Sequence, residues 1–264
     1  MISIEKNGLK IFQFLSLMAP EITQGVFSRH GGSSPKPWHS LNLGGTVGDD
    51  PQNIKSNLRA LLSALSYSPA QLAQIRQIHS ASVIYVDKPM NAELQGDAMI
   101  TDKPNLLLLM RFADCVPIFF FDPVQHAVGI AHAGWQGTIK EIPLNTVKAM
   151  ETHFGSDPAN LLTAIGPSIG PDHYEIGDDV AREVKRVFPD HIRDILKSDG
   201  DEVKLDLWKA NQVSLKKAGV NQIEVAEICT GCQVNDWFSH RAENGKTGRF
   251  AAVIGLVDDK RYGS

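Results

Sequence analysis

Three residues of this chain combine reactive side chains with positions at strand ends or breaks: His79 in RQIHSASV, just before a predicted strand, Cys115 in RFADCVPIF, between two apolar runs, and His132 in AVGIAHAGWQG, at the end of one. Each has small or turn-forming neighbours. Such positions bring side chains to the rim of a sheet, where ligand sites form. A thiolate with two imidazoles suits zinc, and three protein ligands leave the fourth tetrahedral position for water, as in catalytic rather than structural sites. Without a metal, Cys115 and His132 would form a nucleophile–base pair. The residues stand 36 and 17 positions apart, so no local zinc-finger spacing decides between these readings. Unconnected core or surface roles stay open as well.

Further candidates surround these three. Arg29 in SRHGG lies beside two glycines, as in an anion-binding loop, whereas His30 reads as surface. Asp114, next to Cys115, and Asp97 in GDAMIT could each orient a ligand histidine or cap a turn. Strand alternation through residues 111, 113 and 115 puts Arg111 on the face of Cys115. Arg241 and Arg249 flank AENGKTG, a predicted hairpin, and either could reach an anion. Tyr174 and Glu175 in HYEIG read as substrate contacts or as packing and capping groups. CTGC, with Cys229 and Cys232, has the C-x-x-C form of redox and zinc motifs but lacks a second pair, and is read as buried free thiols.

The elements that must position these residues follow from periodicity. DDPQNIKSNLRALLSAL reads as a helix, with Asp50 as N-cap, Pro51 at its first position and leucines at helical spacing. SVIYVD, NLLLLMRF, VPIFFFD, AVGIAHA, NLLTAIG, IEVAEICT and GRFAAVIGLV read as strands. TIKEIPLNTVKAMETHF is helical, with Pro143 as a kink or a late start. DDVAREVKRVF and DLWKANQVSLKKAG are amphipathic helices, the second closed by Gly219. SRHGGSSPKPWHSLNLGG reads as an irregular loop and DHIRDILKSDGDEVK as a solvated charged stretch. Strands dominate the middle, and helices interleave without strict alternation. The expected fold is α+β or a mixed α/β sandwich, a single domain over residues 1–264 with mixed sheets flanked by helices.

Composition narrows the function. The chain is 42% hydrophobic and 21% charged, and its formal net charge of -4 gives no footprint for nucleic acid or an anionic membrane. Arg111, Asp114 and Pro117 interrupt its most apolar stretch, so that stretch is no membrane span. Three cysteines cannot all pair within one chain, and with no signal-peptide layout at the N-terminus the expected address is the reducing cytoplasm. No obligate protein partner is evident.

RQIHSASV, GDAMIT, FADCVPIFFFDP, AHAGWQGT, AIGPSIGPDHYEIGDDV and FSHRAENGKTGR occur in this order, after FSRHGG, SLNLGG and VGDDPQNIKSN. Together they resemble the YfiH-type family, also called the laccase-domain or multicopper-polyphenol-oxidase-like family, over roughly Phe27 to Val257. The resemblance implies an α/β sandwich of its own type. It also implies a zinc-dependent purine nucleoside phosphorylase acting on adenosine, inosine, guanosine and methylthioadenosine, with adenosine deaminase activity. Purine nucleosides and phosphate are then the partners. The metal ligands, and with them the catalytic centre, fall on His79, Cys115 and His132. The turn AGWQG would open a helix whose free N–H groups can hold phosphate. The chain departs from the pattern at Gln136, where the family has arginine, and at Arg111–Phe112 before ADC, where it has a small or hydroxyl residue. Losing that arginine removes a bidentate phosphate donor, and Arg111 is the residue expected to restore the charge. Three rivals remain: a metal-free cysteine hydrolase for cell-wall precursors built on Cys115 and His132, a copper-dependent phenol oxidase, and a non-enzymatic metal-dependent binding or regulatory partner. The second fits poorly, because a multicopper centre takes many histidines and the chain has nine in all.

Overall fold

A computed structural model of the chain describes residues 1–200 and 202–258. Strands β1 (Ile2–Lys6), β2 (Leu9–Gln13) and β3 (Ile22–Phe27) are followed by helix α1 (Pro51–Leu65). Seven strands come next: β4 (Leu72–Arg76), β5 (Val83–Tyr85), β6 (Met90–Gln95), β7 (Ala98–Thr101), β8 (Leu107–Phe112), β9 (Val116–Asp122) and β10 (Ala127–Ala133). Helices α2 (Trp135–Ile139) and α3 (Ile142–Phe154) lead into β11 (Leu162–Ile165) and β12 (Glu175–Ile176). Helices α4 (Asp178–Val187) and α5 (Ile192–Ile195) precede β13 (Leu196–Asp199) and β14 (Glu202–Leu205). Helix α6 (Leu207–Lys217), β15 (Gln222–Val225) and β16 (Phe250–Leu256) complete the order.

The strands form a seven-stranded sheet, β1-β2-β3-β16-β8-β4-β6, and a six-stranded sheet, β15-β11-β9-β10-β7-β5. Both are mixed: β4 runs parallel to β6 and β8, β11 to β15 and β5 to β7, while the other pairs are antiparallel. A small sheet, β12-β14-β13, stands apart. Side-chain alternation sorts the apolar residues into three layers. Leu108, Met110 and Phe112 of β8 meet Phe119 and Phe121 of β9 and Val128 and Ile130 of β10 between the two large sheets. The opposite face of β9 and β10, with Ile118, Phe120, Ala131 and Ala133, packs under α3, α4 and α6. Leu107 and Leu109 of β8, with Ala251 and Val253 of β16, pack under α1 through Leu61 and Leu62. The result is a helix–sheet–sheet–helix sandwich, the mixed α/β class expected.

Local chemistry explains the helix ends. Asp50 accepts from the Gln52 N–H at 2.8 Å and Pro51 opens α1, so the helix starts where the cap predicts. Pro143 marks a late start rather than a kink: Glu141 sits in the left-handed region at φ 54°, and α3 begins at Ile142 as a helix separate from α2. The charged stretch before α6 is not merely solvated. It forms α5 and the β13–β14 pair, because Ile195 and Leu205 are fully buried and anchor it. Among the described residues no helix is long and apolar enough to cross a membrane.

Candidate metal centre

The chain crosses from one large sheet to the other between β8 and β9, and this crossing presents Cys115. Phe112 is the last residue of β8, Asp114 takes a left-handed φ of 79°, and β9 starts at Val116. His132 lies opposite Pro117 near the end of β10, its ring 5.4 Å from that of Phe112. It therefore faces the space between the sheets. His79 occupies the loop from β4 to β5, also in a left-handed conformation at φ 58°. The ligand atoms of His79, Cys115 and His132 all lie within 4.8 Å of one another, and Cys115 Sγ is 4.0 Å from His79 Nε2.

Asp97 holds this cluster together. It is fully buried where β7 begins, and it accepts from the backbone N–H groups of His79 at 3.0 Å and Ser80 at 2.5 Å, and from Ser80 Oγ at 2.7 Å. His132 Nδ1 donates to the same carboxylate at 2.9 Å. That bond fixes the tautomer and leaves His132 Nε2 to face the cluster. Burial alone would raise the Asp97 carboxyl, but the bonds from His132 and Ser80 overcome it and bring it down to about 2. Burial also opposes charge on His132 and Cys115. Their mutual attraction outweighs it, so the thiol falls to about 6 and the imidazole, with Asp97 behind it, rises to about 9. A thiolate backed by imidazoles is the form that binds soft and borderline metals and also the form that attacks carbon.

A pocket of about 180 Å³ opens over the cluster, lined by His79, Asp114, Cys115, Gly134, Trp135, Gln136, Ile169, Tyr174 and Leu207. Gly134, which caps α2, is needed for space rather than for torsion. Its φ is −72°, yet a β-carbon there would stand 2.7 Å from Cys115 Sγ and 3.3 Å from His79 Cδ2. Tyr174, half-buried in the wall, has its phenol pushed above the usual range by burial, with Cys115 and Asp114 adding to it and Arg241 working against it.

The other predicted residues divide. Gln136 lines the pocket. Arg241 is exposed beside it, its guanidinium 5.2 Å from the Tyr174 ring and bonded to the Glu175 carbonyl at 2.9 Å. Arg249 is half-buried. Its Nη1 donates to the Gly248 carbonyl at 2.9 Å, burial lowers its pKa, and Cys115 and Asp114 are the anions that pull it back up. Arg111 is not on the face of Cys115. It shares the outer face of β8 with Leu107 and Leu109, and it donates to the Leu43 carbonyl at 2.5 Å and to the Gln74 side chain. Strand β8 ends at Phe112, so its alternation does not carry on through residues 113–115 to Cys115. Arg29 is also outside the pocket lining: it donates to the carbonyls of His39 at 2.9 Å and Val234 at 2.6 Å and pairs with Glu243 at 3.1 Å. AENGKTG is not a hairpin. Glu243 Oε2 accepts from the Ser239 N–H and from Thr247 Oγ1, which folds the segment into consecutive turns. Of the two carboxylates, Asp97 touches the histidine. Asp114 instead accepts from Thr230 Oγ1 at 2.6 Å and from the Arg241 N–H at 2.7 Å, tying three loops together. His30 is half-buried, 3.1 Å from Asp236 and away from the pocket lining. Cys229 is buried as expected, but Cys232 is exposed.

Two large mixed sheets between helical layers, with a thiol and two imidazoles clustered where one sheet hands over to the other, define the class: a layered α/β sandwich with a metal-competent rim site. Residues 23–257 match the family model described as multi-copper polyphenol oxidoreductase laccase. The chain is 36% identical over 247 residues to the purine nucleoside phosphorylase YlmD of Geobacillus stearothermophilus, covering 89% of this chain and 90% of the relative. It is 31% identical over 230 residues to the purine nucleoside phosphorylase YfiH of Escherichia coli, covering 87% and 92%. The crystal structure of YlmD from G. stearothermophilus superposes with a TM-score of 0.91 at 34% identity, covering 97% of this chain and 98% of that one. The chain belongs to this laccase-domain, YfiH-type family.

Proposed function

We propose that this chain is a zinc-dependent purine nucleoside phosphorylase, acting on adenosine, inosine, guanosine and methylthioadenosine with phosphate as co-substrate, that also deaminates adenosine. We take it to work as one domain in the cytoplasm. The convergence of His79, Cys115 and His132 at a pocket with aromatic and aliphatic walls carries the reading, and the names of the relatives support it. The donor set fits zinc: the 4.0 Å between Cys115 Sγ and His79 Nε2 is close to the roughly 3.6 Å that a tetrahedral site requires. His79 and His132 would hold the ion through imidazole nitrogen and Cys115 through sulfur. When bound, zinc supplies Lewis acidity and a water whose pKa is lowered to about 7, the nucleophile that deamination at adenine C6 requires.

The chain's own residues supply the rest. Trp135 and Tyr174 offer flat surfaces to a purine. Gly134 leaves room for its approach, and Asp97 keeps His132 aimed. Phosphorolysis joins a phosphate oxygen to ribose C1′ while the glycosidic electrons leave with the base, which takes up a proton. It therefore needs a held dianion. We assign this role to Gln136 in the pocket lining and to Arg241 and Arg249 outside it, Arg241 lying against the wall residue Tyr174 and Arg249 within the electrostatic reach of Cys115. The test measures phosphate-dependent base release from inosine and ammonia release from adenosine, before and after chelation. Both activities are expected to fall on chelation and to return with zinc. Return with copper alone, together with phenol oxidation, would support the oxidase instead.

A second reading has its own observation. The depressed Cys115 thiol beside His132 is also the arrangement of a metal-free cysteine hydrolase. Hydrolytic turnover that resists chelators but is lost on alkylation of Cys115 would favour it.

A further inference from the structure

Behind the pocket wall lies a second group of ligand-type side chains. Asp172 and His173 come from the loop that leads to Tyr174, and Cys229 and Cys232 come from the CTGC turn; their ligand atoms all lie within 4.8 Å of one another. Cys232 Sγ is 3.5 Å from His173 Nδ1 and 3.3 Å from Asp172 Oδ2. Cys229 Sγ is 3.8 Å from His173 Nδ1, which is itself 3.1 Å from Asp172 Oδ2. A tetrahedron with ordinary zinc bond lengths has edges of about 3.4–3.8 Å, and each of these separations lies within about 0.3 Å of its edge. Two sulfurs, an imidazole nitrogen and a carboxylate oxygen make a complete set of four.

The backbone is arranged for a thiolate at Cys229. The N–H groups of Gly170 and Cys232 point at its sulfur from 3.1 and 3.4 Å. Such bonds steady a metal-bound sulfur and lower the cost of its charge. Gly170 has to be glycine for the loops to meet, because a β-carbon there would lie 2.7 Å from Asp172 Oδ1 and 3.0 Å from Cys229 Cβ. The two segments are already laced by the Ser168–Cys229 bridge and by the Thr230 N–H to Ser168 carbonyl bond at 3.0 Å.

We propose that Asp172, His173, Cys229 and Cys232 form a second, structural site for a divalent ion of the zinc type. With four protein ligands it leaves no open position for water, so it takes no part in chemistry. Its role is to clamp the loop carrying Ile169 and Tyr174, two residues of the pocket wall, to the loop carrying Thr230, which holds Asp114. The reading does not depend on the His79–Cys115–His132 centre.

The test uses the full chain with Cys115→Ala, which removes the thiolate of the other cluster. The protein is stripped of metal under reducing conditions, loaded with zinc or cobalt(II), desalted and analysed. About one zinc per chain is expected, and cobalt should give a thiolate charge-transfer band that only Cys229 and Cys232 can supply. Cys232→Ser and His173→Ala alter exposed side chains, so the fold tolerates them. On the same background each is expected to weaken that zinc at least tenfold, with Cys232→Ser reducing the band. Equal zinc content in all three folded proteins would overturn the proposal, and so would a Cys229–Cys232 disulfide that forms readily and leaves no zinc bound.

Discussion

Gly134 decides how near the backbone can pass to the reactive cluster. Gly134→Ala has no torsional penalty, but its methyl would meet Cys115 Sγ at 2.7 Å. It is expected to weaken zinc binding at least tenfold in competition with a chromophoric chelator while the melting temperature changes little. Asp97→Asn keeps the shape and loses the charge behind His132. Losing such an orienting partner typically costs 10–100-fold in metal affinity, and a smaller loss would remove Asp97 from the account. Gln136→Arg restores a charge-assisted contact of about 1.5–3 kcal/mol, so phosphate KM should fall roughly tenfold to a hundredfold with adenosine deamination nearly unchanged. Arg111→Ala should act on stability instead. It leaves the Leu43 carbonyl and Gln74 without their donor, at a cost of about 1–3 kcal/mol in urea unfolding, with phosphate KM unaltered. Strand ends and breaks mark His79, Cys115 and His132 as candidates in the sequence, and only the resemblance to the family's motifs joins them into one site. Their neighbours were less legible. Adjacency made Asp114 as strong a candidate as Asp97, although the residue that reaches His132 is 35 positions from it, and only strand pairing brings the two together.

The elements that could be read were those whose own residues carry a long signal. Helix α1 has its cap, proline and leucine stripe, and strands β8, β9, β10 and β16 are runs of buried residues. Strands β1 and β6 carry a weaker signal. ISIEK and MNAELQ alternate apolar with polar residues, Ile2 and Ile4 in the first and Met90, Ala92 and Leu94 in the second, but these side chains stay largely exposed, and pairing to β2 and β4 holds the strands in the sheet. The crossing from β8 to β9 leaves no mark of a sheet change in the sequence, so alternation alone puts Arg111 on the wrong face. Two elements give direct tests. Asp50→Ala removes the α1 cap and is expected to cost about 1 kcal/mol of stability, without changing turnover, since α1 packs on the sheet face remote from the pocket. Asp114→Ala should both destabilise the protein and raise KM for nucleoside, because Asp114 joins the crossing to Thr230 and Arg241 at the pocket edge. An unchanged KM would show that the crossing does not shape the pocket.

The whole molecule is built so that two sheets, each covered by helices on its outer face, press their inner faces together and leave a chemically equipped rim where β8 passes into β9. Phe112, Phe119 and Met110 make the inner layer dry up to that rim. The cluster of His79, Cys115 and His132 thus has a rigid floor, while its ligand side opens into the pocket. The central claim is that this cluster holds the ion on which nucleoside cleavage depends. The most direct measurement compares phosphate-dependent release of hypoxanthine from inosine by zinc-loaded wild-type and Cys115→Ser proteins, both shown to be folded. Wild type should release base only when phosphate is present. Cys115→Ser should be slower by more than about a hundredfold, beyond the 10–100-fold typical of losing a group that merely orients a ligand. Equal rates in the two proteins, or no base released by wild type with zinc and phosphate both supplied, would contradict the account.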